Sequence, residues 1–334
     1  MAEIVLGLAT SHGPMLVTEV SAWGLRLAAD RAQQHPWRGR HWSFDALVGE
    51  RADENLDAQS HADEQEARRR RCLTAIETLA DRFAAARVDV ALIVGNDQEE
   101  MFDARLTPAF ALYCGATIPN HELSPARLAA LPPGIDVAVP GYIPSGGADY
   151  AGAPDLACQL GAALTAAGFD IAVMHDAPKD ETPHAFGFVY RHLMRDRPVP
   201  SILLLINTFY PPNQPPAARC VALGKALSAA IADWPADLRV AVIASGGLSH
   251  FVIDEALDHQ VLDAILGGEA EVLGSLDEAT LQSGSSEIKN WLPVARALET
   301  TALKPELIDY VPCYRSAAGT GNAMGFVAWT EMAV

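Results

Sequence analysis

What most restricts the fold of this chain is a set of short, almost wholly apolar runs, each closed by a cluster of polar residues. Residues 4–8, 88–94, 171–174, 202–206 and 240–244 are rich in β-branched side chains and bounded by turn formers. Runs this short, with no polar alternation, mark strands buried on both faces of a largely parallel sheet. Between them apolar residues recur every three or four positions. Residues 66–86 place Cys72, Ile76, Leu79 and Phe83 on one face and arginines on others, and residues 154–167, 217–232, 254–266 and 286–298 behave alike. Strands alternating with helices predict an α/β chain with a mostly parallel central sheet flanked by helices.

Two stretches stand outside this rhythm. Residues 17–65 gather Trp23, His35, Trp37, His41, Trp42 and Phe44 among charges without a long period, which predicts an inserted, lid-like N-terminal region. Residues 118–149 are rich in Pro and Gly and suit a surface excursion or edge hairpin. Nothing marks a linker, so residues 1–334 are expected to form a single domain.

Composition narrows the partners. With 42 acids against 24 bases the net charge is −18, so nucleic acid and anionic membrane surfaces should repel the chain. A mean hydropathy of +0.10 fits a soluble protein. The longest apolar runs fall far short of the roughly 20 residues of a spanning helix, and no basic segment precedes the first of them. Five cysteines at unequal intervals, none in a CxxC, fit a reducing cytoplasm better than a disulfide framework or a thiolate metal site.

In open α/β sheets, ligands bind beyond the carboxyl ends of the strands. The residues there are Thr10-Ser11-His12-Gly13-Pro14, Asn96-Asp97-Gln98-Glu99-Glu100, His175-Asp176 with His184 soon after, and Ser245-Gly246-Gly247-Leu248-Ser249-His250. Imidazoles and carboxylates converging without thiolates favour a non-haem divalent metal, and two histidines with one carboxylate is the Fe(II) oxygenase arrangement. Singly, His35, His41, His175, His192 and His259 read as surface or capping residues. Glu287, opening a helix, could equally complement its dipole.

Thr10-Ser11-His12-Gly13-Pro14, His184-Ala185-Phe186-Gly187-Phe188, Ser245-Gly246-Gly247-Leu248-Ser249-His250 and Ser286-Glu287-Ile288-Lys289-Asn290-Trp291 together resemble the class III extradiol ring-cleavage dioxygenases, the superfamily of protocatechuate 4,5-dioxygenase β subunits. The opening residues 1–14 and the tail Tyr310-Val311-Pro312-Cys313-Tyr314-Arg315 with Gly319-Thr320-Gly321 look closest to its single-chain 3-O-methylgallate and gallate dioxygenase branch. The resemblance implies Fe(II)-dependent extradiol (meta) cleavage of a catechol- or gallate-type ring, with both atoms of O2 inserted, in aromatic catabolism. It implies that His12 and Glu287 bind the iron while His184 and His250 stand beside it as acid and base. Family members carry Asn-Asp-His where this chain has Asn96-Asp97-Gln98. Gln98 is the positional choice for the third ligand, with Glu100, His61, His41 and His121 left open. An amide in place of imidazole predicts weak iron binding.

Such chemistry needs a base to take the second hydroxyl proton of the diol, for which His250 is chosen, and an acid when the O–O bond breaks, for which His184 is chosen. The substrate is expected to be a small aromatic diol or triol, its carboxylate met by Lys289, Arg315 or helix amides. A cytoplasmic homodimer is the base-rate expectation. Two readings compete: a metal-dependent hydrolase using the same ligands, and a non-catalytic metal-binding relative on the same scaffold.

Overall fold

The computed structural model describes residues 2–179, 181–234 and 237–331. Its main sheet contains strands β1 (Glu3–Thr10), β2 (Val90–Gly95), β3 (Phe110–Tyr113), β4 (Ala172–Met174), β5 (Ser201–Ile206), β6 (Arg239–Ser245), β7 (His250–Val252), β8 (Lys304–Tyr314) and β9 (Thr320–Thr330). Across the sheet they run β7-β9-β1-β6-β2-β5-β3-β4, with β8 pairing with β9. The centre, β1-β6-β2-β5, is parallel. Its margins reverse: β9 is antiparallel to β1, β7 and β8, and β3 is antiparallel to β5.

The apolar runs at 90–94, 202–206 and 240–244 are buried on both faces, as their composition demands, whereas residues 171–174 supply the edge strand β4, which has a neighbour on one side alone and leaves Val173 exposed. Val90, Leu92 and Val94 enter one hydrophobic cluster while Ala91 and Ile93 enter the other; Val240, Val242 and Ala244 alternate with Ala241 and Ile243 in the same way. The first cluster is completed by α2 (Pro154–Ala166), α4 (Ala217–Ala232), α5 (Glu255–Leu266) and α6 (Trp291–Leu298). The second is completed by α1 (Ala62–Ala86) and the short α3 (His184–Phe188). Helices therefore cover both faces of the sheet.

Register decides where the chemistry goes. Thr10 pairs with Ser245 and Ala244 with Val94, so β1, β6 and β2 end level at one edge of the sheet. The residues that follow all three strands are delivered to the same place.

Residues 17–65 form short helices and a hairpin of His35–Trp37 with Arg40–Trp42. Trp37, Phe44 and Leu47 pack with Val252 and Ala318 in a separate small cluster. These aromatics therefore cover the outside of β7, where the sequence pattern had suggested a lid over a pocket.

Candidate active site

His12 leaves β1 two residues past its last strand position and is almost fully buried. Its Nδ1 lies 2.9 Å from Ser245 Oγ. That hydroxyl donates its own hydrogen to the Ala185 carbonyl at 2.5 Å, so it can only accept from the imidazole. The hydrogen of neutral His12 is thereby placed on Nδ1, and burial, outweighing the pull of Glu287, keeps the ring's pKa below its ordinary value. Nε2 then carries a lone pair. It faces Glu287 Oε2 at 3.2 Å, yet it is a buried atom without a hydrogen-bond partner.

Glu287 sits in a 3-10 segment, Ser283–Asn290, that crosses the ends of β6 and β2. The segment is pinned there by Asn290, which donates to Asn96 Oδ1 at 2.8 Å and to the Ser245 carbonyl at 3.0 Å, and by Trp291, which donates to the Gly246 carbonyl at 2.8 Å. Approach this close needs glycine beneath it: a Cβ on Gly246 would stand 2.7 Å from the Glu287 carbonyl oxygen. The carboxylate takes Asn96 Nδ2 and Gln98 Nε2 on Oε1 at 3.2 and 2.8 Å, and the Gly247 N–H on Oε2 at 2.8 Å. Burial alone would raise its pKa, but His12 and His250 bring it well below the usual carboxylate range. It is an anion in a dry place.

His250 opens β7 and directs Nδ1 at its neighbour's backbone, the Leu248 carbonyl, at 2.7 Å. Its Nε2 lies 3.7 Å from Glu287 Oε2. Burial works against its charged form, and Glu287 reverses this, so its pKa is raised. His184, at the start of α3, stacks edge-on to His12 with ring centroids 4.7 Å apart. Its Nδ1 donates to Glu100 Oε1 at 2.6 Å, and its backbone N–H reaches the same oxygen at 3.0 Å. Burial again opposes charge, but Glu100 outweighs it and raises the imidazole to about 9.

The residues anticipated at the strand ends are thus brought together: His12, Gln98, His184, His250 and Glu287 all line one cavity of about 380 Å³. Within it, one ligand-type atom from each of His12, His184 and Glu287 falls inside a 4.8 Å cluster. Gln98 turns its NH2 group to Glu287, because a carboxylate can only accept. Glu100 is committed to His184. His61 and His121 are surface residues paired with Asp57 and Asp149, and His41 is exposed. None of the three lines the cavity.

Other features escaped the sequence. Tyr142 donates to the His12 carbonyl at 3.0 Å and stacks on His184, with centroids 5.4 Å apart. Leu131, Ile135, Val139 and Ile143, from the Pro/Gly-rich stretch, form much of the apolar wall, whereas residues 17–65 contribute Arg26. Of the expected carboxylate partners, Lys289 is buried against Glu278 at 2.7 Å and does not reach the cavity. Arg315 does reach it, but one edge of its guanidinium is clamped by Asp30 at 2.6 and 2.8 Å.

The donor set suits a divalent metal. A bare imidazole nitrogen and a carboxylate, both buried and facing each other without a hydrogen between them, is the arrangement a cation resolves. Ser245 behind His12, and Asn96, Gln98 and Gly247 behind Glu287, are the outer partners that fix such ligands in orientation.

The chain also matches known proteins. Residues 58–321 match the family described as the catalytic LigB subunit of aromatic ring-opening dioxygenase. Over 170 residues the chain is 30% identical to a gallate dioxygenase of Pseudomonas putida, covering 47% of this chain and 49% of that protein. The chain thus spans about half the length of this curated relative. The crystal structure of an uncharacterized Escherichia coli K12 protein, JW3007, aligns over 97% of this chain and 99% of its own at 14% identity, with a TM-score of 0.47.

Proposed function

Because this chain belongs to the family of catalytic LigB subunits of aromatic ring-opening dioxygenases, we propose that it is an Fe(II)-dependent extradiol dioxygenase acting on a catechol- or gallate-type ring. The observation that carries this reading is the neutral His12, its Nε2 lone pair 3.2 Å from the Glu287 carboxylate, inside a cavity that also holds His184 and His250. His12 and Glu287 would hold the ion, with Gln98 as third ligand once its amide turns from the carboxylate. An iron ion held there would supply a template for diol and dioxygen and a route for electrons between them.

The remaining work falls to the imidazoles. The Nδ1 of neutral His250 donates to the Leu248 carbonyl, so Nε2 is the atom that takes the second hydroxyl proton of the diol. Glu100 keeps His184 protonated at neutral pH, so its Nε2–H is the donor when the O–O bond breaks. Tyr142 and the apolar wall from the Pro/Gly-rich stretch keep bulk water from the ring.

We treat the chain as one domain and expect a cytoplasmic homodimer acting in aromatic catabolism. Among the described residues no helix is long and apolar enough to cross a membrane. The test is anaerobic loading with Fe(II), then oxygen-electrode traces and absorbance scans across gallates, catechols and dihydroxypyridines, with His250→Ala as control. Oxygen uptake matching loss of ring absorbance, and absent in the control, supports the reading. Stoichiometric iron without uptake on any compound sinks it.

A further inference from the structure

Arg26 is a cation on the cavity wall with no acid of its own. Its guanidinium makes one polar contact among the described residues, a long one of 3.5 Å to the Pro133 carbonyl. The nearby Asp30, fully buried, is committed to Arg315, itself 3% exposed, and also accepts from Thr320 Oγ1 at 2.8 Å. Arg315 therefore takes the ion-pair contacts of Asp30, whose charge acts on Arg26 only through space. Burial and the charge of Arg315, only partly offset by Asp30, lower the pKa of Arg26. The third arginine of the lining differs: Arg127 faces Glu181 at 3.8 Å and donates to the Glu99 carbonyl at 3.1 Å.

The Arg26 stem is also held in place. A Cβ on Gly134 would meet its Cγ and Cδ at 3.2 Å, so its methylenes already lie against the backbone of the Pro/Gly-rich stretch. The stem is held while the guanidinium has no ion-pair partner among the described residues. The lining of the same cavity also includes Met15, Leu131, Ile135 and Val139, apolar groups that suit a ring or its arm.

We infer that Arg26 is the specificity-determining residue of the cavity and pairs with an anionic group carried by the aromatic substrate. This rests on the ring-cleavage reading for the chemistry but not for the binding. An uncharged analogue would leave the wall with its excess cation, whereas a carboxylate would complete the second ion pair beside Asp30 and Arg315. Lost charge-assisted hydrogen bonding of this kind corresponds to roughly a 10- to 100-fold change in affinity.

The experiment uses 3,4-dihydroxybenzoate, 3,4-dihydroxyphenylacetate and 3-(3,4-dihydroxyphenyl)propanoate, each beside its methyl ester. Dissociation constants are measured anaerobically by calorimetry on the Fe(II)-loaded protein and on Arg26→Met, which keeps an unbranched stem against Gly134. Oxygen uptake is then followed on the same samples. At least one acid should outbind its ester about tenfold or more in the original protein, and the substitution should erase that preference while leaving ester affinity within about twofold. An unchanged preference, equal weakening of acid and ester, or no preference in the original protein would each overturn the inference. An Arg26-dependent preference without oxygen uptake would uphold it and count against ring cleavage instead.

Discussion

Ser245 Oγ sits between His12 Nδ1 and the Ala185 carbonyl, accepting from the first at 2.9 Å and donating to the second at 2.5 Å. One hydroxyl thus decides which imidazole nitrogen confronts Glu287. Ser245→Ala should free the tautomer and loosen the ring, lowering affinity for Fe(II) about 10- to 100-fold. A metal titration checks this, with the melting temperature recorded to separate metal loss from unfolding.

The identity of the third ligand is open to substitution. Gln98→Ala should lose iron on desalting, and Gln98→His should hold it more tightly, since imidazole is a better ligand than a neutral amide. His184→Ala should keep its iron and lose turnover. Iron analysis of the three proteins after gel filtration decides; loss of iron from the His184 variant alone would transfer the ligand role to His184.

His184 gives the protein a pH signature. Its pKa in the folded chain, about 9, lies above the ordinary 6.5, so folding favours the protonated ring. That stabilisation is complete below about 6.5 and is lost as pH rises through about 9. Thermal melts of the metal-free protein should therefore decline across this window. Glu100→Gln, which removes the partner that raises the pKa, should flatten the decline and move the alkaline limb of turnover to lower pH.

Asp258 holds Ser249, the residue that precedes His250. It accepts from the Ser249 N–H at 2.7 Å, from Ser249 Oγ at 2.6 Å and from Tyr310 OH at 2.8 Å, all in a buried site. Asp258→Ala strands these donors and should cost about 3 kcal/mol of stability, read by urea unfolding. In the folded fraction kcat should fall more than KM rises, because the misplaced group is the proposed base and not the binding wall.

Much of this site could be read before any coordinates, and for a physical reason. His12, Gln98 and His250 follow strands whose apolar composition forces them into one parallel sheet, and parallel strands in register carry whatever follows them to a common edge. The Glu100–His184 pair, Tyr142 and Arg26 were less legible, because their meeting depends on the paths of irregular segments that carry no period. The aromatic residues at 37 and 44 misled for a related reason: composition signalled burial, and only packing revealed that they cover β7 rather than the cavity. The long β8–β9 hairpin carries no such signal in the sequence, although its turn brings Arg315, and the start of β9 brings Asn322, to the cavity.

The most direct measurement of the central claim is turnover of the best diol under 18O2 by the Fe(II)-loaded protein, followed by mass spectrometry of rapidly quenched product. Ring cleavage of the extradiol type requires one opened product carrying both heavy oxygen atoms, formed with one molecule of dioxygen consumed per ring lost. Product without heavy oxygen, its new oxygen atoms having come from unlabelled water, or ring loss without oxygen consumption, would contradict the account and point to a metal-dependent hydrolase on the same ligands.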